Sequence, residues 1–391
     1  MRTLVTRELE PGMVTIHAVI TPLGQALAPA GTTLTRQLIN RMKLYRVETC
    51  EVEGEEPIPP EPEPFVDEPI LEMNQPVLVT EPVKKEPPVK KPKTHAEEMK
   101  THFQKVAESS DFHEFQIGYL QTIDLMKNSF DDIIHNHADI PTEQLIEAVA
   151  SLYRPRNTII ELFDMLYNMR SLNDSVFSHS LNVALIARML GRWMKYDSHS
   201  LDTLTLAGLL HDIGKCKIPE GILNKPGKLT DDEFAEIKKH PKYGYDILKN
   251  LNVDSHVKKA ALMHHERCDG SGYPSGLDED LLDDYAMIVA IADVYDAMTA
   301  ARVHRAPLCP FQVIANFEAD GFQKYPTKIL LTFLKQIANT YQSNRVVLSD
   351  GRGCKVIYIN NNALSKPIVQ FDDNTCLDLS KSHDIFIKSL L

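Results

Sequence analysis

Residues 204–215 read LTLAGLLHDIGK, and this stretch decides the character of the chain. Leu204, Ala207, Gly208 and His211 recur at three- and four-residue spacing, so they share one face of a helix that packs into a core. Gly214 is expected to end that helix. His211 and Asp212 then stand side by side at a buried helix terminus, and Lys215 adds a cation at the same place. A His-Asp pair by itself is usually structural, so its meaning depends on what else the fold delivers there.

Outward from this helix the same periodicity continues from about Thr94 to Tyr341. It predicts helices over 97–134, 142–170, 174–196, 200–212, 255–266, 284–301 and 327–342. Thr230 begins another, with Glu233 completing a capping box. Pro241 disfavours a helical residue before it, so that helix should stop at His240. Residues 1–54 read as a small α+β module, with turns at 10–12, 21–24 and 29–31, a helix over 35–43 and a last strand over 47–52. Its His17 is expected to be an ordinary surface or core histidine. Residues 55–93 hold 11 of the 24 prolines among glutamates and lysines, which is the composition of an extended linker. The tail, 345–391, returns to short strands at 355–359, 367–370 and 384–387, a small β appendage.

Composition narrows the function. A net charge of −12 opposes a broad footprint for duplex nucleic acid, while leaving room for one small anionic substrate. No run reaches the roughly 18 apolar residues of a membrane helix, and the N-terminus lacks a signal segment. The six cysteines form no CxxC pair, so a reducing, cytoplasmic setting is expected and a zinc ribbon is not.

Five histidines and two aspartates carry the chemistry. Asp293 lies in the run AMIVAIADV (286–294) with apolar helical neighbours on every side. A buried carboxylate there must be protonated, paired or metal-bound. His179 shares a face with Val183, Ile186 and Leu190, which alone suggests a core histidine; His240 alone suggests an exposed helix end. The pair His264-His265 is harder to explain structurally, because neighbouring imidazoles repel once protonated. Together with His211 and Asp212 the set suits a two-metal site with one carboxylate bridging the ions.

The segment 264–274, HHERCDGSGYP, combined with HDIGK at 211–215, resembles the HD-GYP family of the HD phosphohydrolase superfamily. The likeness extends to KPGKLT at 225–230, His240-Pro241 with Gly244, and DVYDAMT at 293–299 followed by Arg302 and Arg305. It covers about 170–342. The resemblance implies a mainly α fold: an all-helical HD-type phosphohydrolase domain over 94–344, flanked by the α+β module and the β-rich appendage. It implies hydrolysis of cyclic di-GMP to linear pGpG, and possible onward cleavage to GMP, through two divalent ions, iron or manganese. His179, His211, Asp212 and Asp293 would surround one ion. His240, His264 and His265 would hold the other, with Asp212 shared. A hydroxide bridging the ions would attack phosphorus, Lys215 would offset phosphate charge, and Arg302 and Arg305 would grip phosphate or guanine.

Tyr273 and its glycine-rich loop read equally as a structural turn or as a cover for the substrate, and the family likeness adds contact with a partner signalling domain and homodimerisation. Cys216 and Cys268 are expected to be bystanders. Some family members hold a third metal with a glutamate one helical turn before the first histidine; here that position is Ser175, beside Asp174, so two metals are expected. Other readings are the same chemistry on 3′,3′-cyclic GMP-AMP, a sensor or scaffold that binds without turnover, or an HD-type nucleotide phosphatase.

Overall fold

A computed structural model describes residues 2–21, 26–44, 47–53, 106–153, 159–170, 175–225, 227–300, 307–382 and 384–391. The expected linker 55–93, the start of the first expected helix, Asp174, Arg302 and Arg305 lie outside the described residues.

The N-terminal strands β1 (Arg2–Val5) and β4 (Thr49–Val52) pair antiparallel, as do β2 (Val19–Ile20) and β3 (Ala26–Ala28), with α1 (Arg36–Leu44) between them in sequence. Leu34, Leu38, Ile39, Met42 and Val52 belong to a core of their own.

The helical part opens with α2 (Ser110–His135), whose start is fixed by the Ser109 hydroxyl accepting from Phe112 N at 3.1 Å. Phe112, Phe115, Tyr119, Ile123, Met126 and Phe130 fall on one stripe and are buried. Then follow α3 (Thr142–Ser151), α4 (Ile159–Arg170), α5 (Val176–Trp193) and α6 (Ser198–Leu210). After these come α7 (Asp231–Ile237), α8 (His240–Leu248), α9 (Ser255–Met263), α10 (Asp284–Thr299), α11 (Pro310–Asn316) and α12 (Thr327–Thr340). Helices α5, α6 and α10 are apolar nearly all round and form the inner layer. Two glycines set how closely this layer packs. A Cβ at Gly208 would meet Ala184 Cα at 2.4 Å, so α6 lies directly on α5. A Cβ at Gly214 would meet the His240 carbonyl oxygen at 2.0 Å, so the turn after Asp212 lies on the start of α8.

Among the described residues no helix is long and apolar enough to cross a membrane. The tail forms a five-stranded antiparallel sheet of β5 (Arg345–Leu348), β6 (Gly353–Tyr358), β7 (Ile368–Gln370), β8 (Cys376–Asp378) and β9 (Ile387–Leu390), in spatial order β8-β7-β6-β5-β9. Val346, Leu348, Cys354, Val356, Val369 and Ile387 join the helical core.

Four local expectations change. The single helix expected over 142–170 is two, Thr142–Ser151 and Ile159–Arg170. The helix capped by Thr230 ends at Ile237, and His240 opens the next helix, with Pro241 in its first turn. A proline there gives up no intrahelical hydrogen bond, so it can start a helix as readily as end one. His211 caps α6, and Gly214 lies within a 3₁₀ turn, Ile213–Lys217, instead of terminating the α-helix. The last strand is Ile387–Leu390, not 384–387, and β5 and β8 were not anticipated.

Candidate metal centre

Five helical segments deliver the site. His179 projects from α5, His211 and Asp212 from the end of α6, and His240 from the start of α8. His264 and His265 follow α9, and Asp293 lies in α10. Their donor atoms fall into three overlapping groups, each within 4.8 Å: His179 with His211 and Asp293; His240 with His264 and His265; and His211 with Asp212 and His264. His240, expected to be exposed when read alone, is 1% exposed.

Asp212 stands between the first two groups. Its Oδ2 is 3.3 Å from His211 Nε2 and 3.8 Å from His179 Nε2, whereas Oδ1 is 3.2 Å from His240 Nε2 and 3.8 Å from His264 Nε2. One oxygen thus faces each histidine set. Lys215 Nζ meets Oδ2 at 2.5 Å. Asp293 Oδ1 is 3.0 Å from His179 Nε2, and its Oδ2 is 4.0 Å from His265 Nδ1.

Backbone carbonyls set the tautomers. The Nδ1 atoms of His211, His240 and His264 lie 2.8, 2.7 and 3.0 Å from the carbonyl oxygens of Gly208, Ile237 and Ala260. A carbonyl only accepts, so each ring carries its proton on Nδ1 and turns an Nε2 lone pair inward. His240 and His264 thereby point two lone pairs at each other across 3.1 Å. The buried His211 Nε2 and Asp212 Oδ1 have no hydrogen-bond partner among the described residues. Converging lone pairs beside a buried carboxylate oxygen without a donor fit one or more divalent cations.

The protonation states of His264 and His265 agree with that fit. Burial lowers His264 well below the usual imidazole range, and burial lowers His265 to about 3, so both are neutral donors at physiological pH. Burial would also lower His179, but its hydrogen bonds to Asp293 and Asp296 push it up to about 10. Burial alone would raise Asp212, yet the Lys215 ammonium and the His211 ring hold it well below the carboxylate range. Asp293 is likewise held down, against burial, by His179.

Two residues here escaped the sequence reading. Asp296 Oδ2 accepts from His179 Nδ1 at 2.8 Å, and its Oδ1 accepts from Asn182 Nδ2 at 3.1 Å. Asn182 Oδ1 in turn accepts from Tyr119 OH at 2.7 Å. The sequence does carry a signal for it, since Asp296 stands one helical turn after Asp293 on the same helix. Glu266 is fully buried and accepts from Ser275 N at 2.7 Å and Leu277 N at 3.0 Å, which ties down the loop carrying Tyr273. Tyr273 stacks on His265, with ring centroids 4.6 Å apart. Ser175 is the N-cap of α5; its hydroxyl accepts from Ser178 N at 3.2 Å. Cys216 and Cys268 belong to none of the three donor groups.

An inner layer of helices that gathers histidines around a His-Asp pair defines the class. Residues 142–327 match the family model described as HD domain, so the chain carries an HD domain there. The chain also carries the segment HHERCDGSGYP at 264–274, which is similar to that of HD-GYP proteins. It is 32% identical over 225 residues to a cyclic di-GMP phosphodiesterase of Pseudomonas aeruginosa, covering 57% of this chain and 53% of that protein. It is 33% identical over 192 residues to a cyclic di-GMP phosphodiesterase of Thermotoga maritima, covering 48% and 52%. Against a 3′,3′-cyclic GMP-AMP-specific phosphodiesterase of Vibrio cholerae it is 42% identical over 132 residues, covering 34% and 31%. The chain spans about half the length of the first two of these relatives, and less of the third.

Proposed function

We propose that this chain is a metal-dependent phosphodiesterase that opens cyclic di-GMP to linear pGpG, acting in the cytoplasm. The observation that carries the reading is Asp212, whose two oxygens face two separate sets of inward-turned histidine nitrogens. His179, His211, Asp212 and Asp293 would hold one divalent ion, and His240, His264 and His265 the other, with Asp212 common to both. The mixed imidazole and carboxylate donors suit iron or manganese. Such ions, when bound, supply an activated water at neutral pH and offset charge on a phosphodiester.

The chain's own residues do the rest. The carbonyls of Gly208, Ile237 and Ala260 hold three rings in the donor tautomer, and Asp296 does the same for His179. Lys215 keeps Asp212 ionised, and its ammonium adds positive charge on that side of the centre. Tyr273, lying on His265, covers that side of the centre against water and is the side chain best placed to meet the substrate. Ser175 spends its hydroxyl on capping α5, which favours two ions over three. Metal analysis on anaerobically purified protein should give about two ions per chain; three would contradict this count.

A second reading, the same cleavage of 3′,3′-cyclic GMP-AMP, is favoured by the likeness to the Vibrio cholerae relative. Parallel turnover of both dinucleotides, with products separated by chromatography, decides between them. Preference for cyclic di-GMP supports the first reading, and preference for the mixed dinucleotide replaces it with the second.

A further inference from the structure

A cyclic dinucleotide carries two phosphates, and a centre that cuts one of them leaves the other to be held elsewhere. Three cations beside these elements are already engaged. Lys215 is paired with Asp212, and Lys239 is paired with Glu236. Arg267 Nη1 donates to the carbonyls of His264 and Glu266. Lys238 differs. It is exposed, and no carboxylate pairs with it among the described residues. Its ammonium lies 5.2 Å from the centre of the Tyr273 ring and 4.9 Å from that of Phe234, one helical turn before it. Phe234 is 48% exposed, a large apolar side chain with no core to fill.

Two aromatic faces holding one ammonium restrain a side chain that would otherwise sample many rotamers. The restraint comes where it is useful, because Tyr273 also stacks on His265 of the donor set. Lys238 is therefore a charge fixed at the rim of the centre, one aromatic ring away from it. A preordered cation binds an anion with less loss of side-chain entropy than a mobile one. On a chain of net charge −12, an unpaired lysine so placed is also the local attraction that an anionic substrate needs.

We propose that Lys238, held over Tyr273 and Phe234, binds the second, uncut phosphate of the cyclic dinucleotide. This rests on the phosphodiesterase reading above. Lys238 is a binding residue that selects for a ligand with two phosphates, and Phe234 orients it. The test compares wild type with K238E, K238R and F234A on cyclic di-GMP and on bis(p-nitrophenyl) phosphate, a small diester with only one phosphate. K238E should raise KM for the dinucleotide about tenfold, the order expected for one charge-assisted contact, with a much smaller effect on kcat. K238R should restore most of the loss, and F234A should fall between. The small diester should respond far less to any of the three. Equal effects on both substrates, or an unaltered KM for the dinucleotide in K238E, would overturn the assignment. Should wild type leave both cyclic dinucleotides intact, the functional reading itself falls. Equilibrium dialysis with the unconsumed dinucleotide then judges Lys238 alone: weaker binding by K238E upholds it, and equal binding overturns it.

Discussion

Replacing Asp296 by asparagine removes one charge and keeps the shape, so its effect isolates what that carboxylate does for His179. In the native arrangement both Asp296 oxygens accept, one from His179 Nδ1 at 2.8 Å and one from Asn182 Nδ2 at 3.1 Å. An asparagine has one oxygen and one NH2 group for those two donors. With its oxygen towards His179, its NH2 opposes the NH2 of Asn182. With its NH2 towards His179, Nδ1 must accept instead of donate, so a neutral ring carries its proton on Nε2 and offers no lone pair to a metal. Either arrangement sacrifices one charge-assisted hydrogen bond, worth about 1.5–3 kcal/mol. Outer partners of metal-bound histidines typically carry 10–100-fold in metal affinity, or about 1.4–2.7 kcal/mol, which is the same range. D296N should therefore weaken metal binding about 10- to 100-fold in a chelator competition, with helical circular dichroism retained. Exchanging the two groups in N182D/D296N restores complementarity. The new amide at position 296 can accept from His179 and donate to the new carboxylate at position 182, which still accepts from Tyr119. The double variant should recover part of the affinity. Wild-type metal affinity in D296N, or no recovery in the double variant, would refute the reasoning.

Other consequences follow from the same geometry. G208A should destabilise the fold by about 1–3 kcal/mol in denaturant unfolding, because its Cβ would meet the α5 backbone at Ala184; wild-type stability would mean that the helix contact yields easily. D212A should abolish hydrolysis while leaving helical circular dichroism nearly native, and appreciable turnover by the metal-replete variant would contradict the role of Asp212. The metal-stripped protein should lose stability on acidification. His264 and His265 are neutral in the fold, His265 down to about pH 3, but take protons when unfolded. The unfolded state binds more protons below about pH 6.5, and His265 then costs up to about 1.4 kcal/mol per pH unit as pH falls towards 3, with His264 acting in the same direction. His179 acts oppositely: the stability it adds is complete below about pH 6.5 and is lost as pH rises through about 10. A melting temperature of the stripped protein that does not fall between pH 6.5 and 5 would contradict these assignments.

The helical architecture was legible because its periodicity is local: the apolar stripe of α2 and the apolar run 286–292 in α10 show in any window of the sequence. The seven candidate donors could be named from the sequence because each sits on a helix end or face that this periodicity defines. Their arrangement was not legible, since it depends on Gly208 and Gly214 bringing distant segments into contact, which no single window reveals. His240 shows the limit well. Pro241 stopped one helix on paper and starts another in space, turning a terminus read as exposed into a buried donor. Glu266 was read only as part of a motif. Its buried carboxylate pins two loop amides nine and eleven residues away, a relation that side-chain type alone cannot signal. Ser175 was placed one turn before His179 on the correct face, but at the helix start its hydroxyl serves the backbone as a cap.

The central claim is that this donor set makes the chain a metal-dependent cyclic dinucleotide phosphodiesterase, and one measurement meets it directly. Purified full-length chain is stripped with a chelator, divided, and either left bare or reloaded with manganese or iron(II). Each portion is incubated with cyclic di-GMP, and the products are resolved by chromatography. The account predicts linear pGpG from the reloaded portions, none from the bare one, and none from reloaded D212A. Hydrolysis that survives chelation, or no hydrolysis of either cyclic dinucleotide by a fully loaded protein, would contradict it.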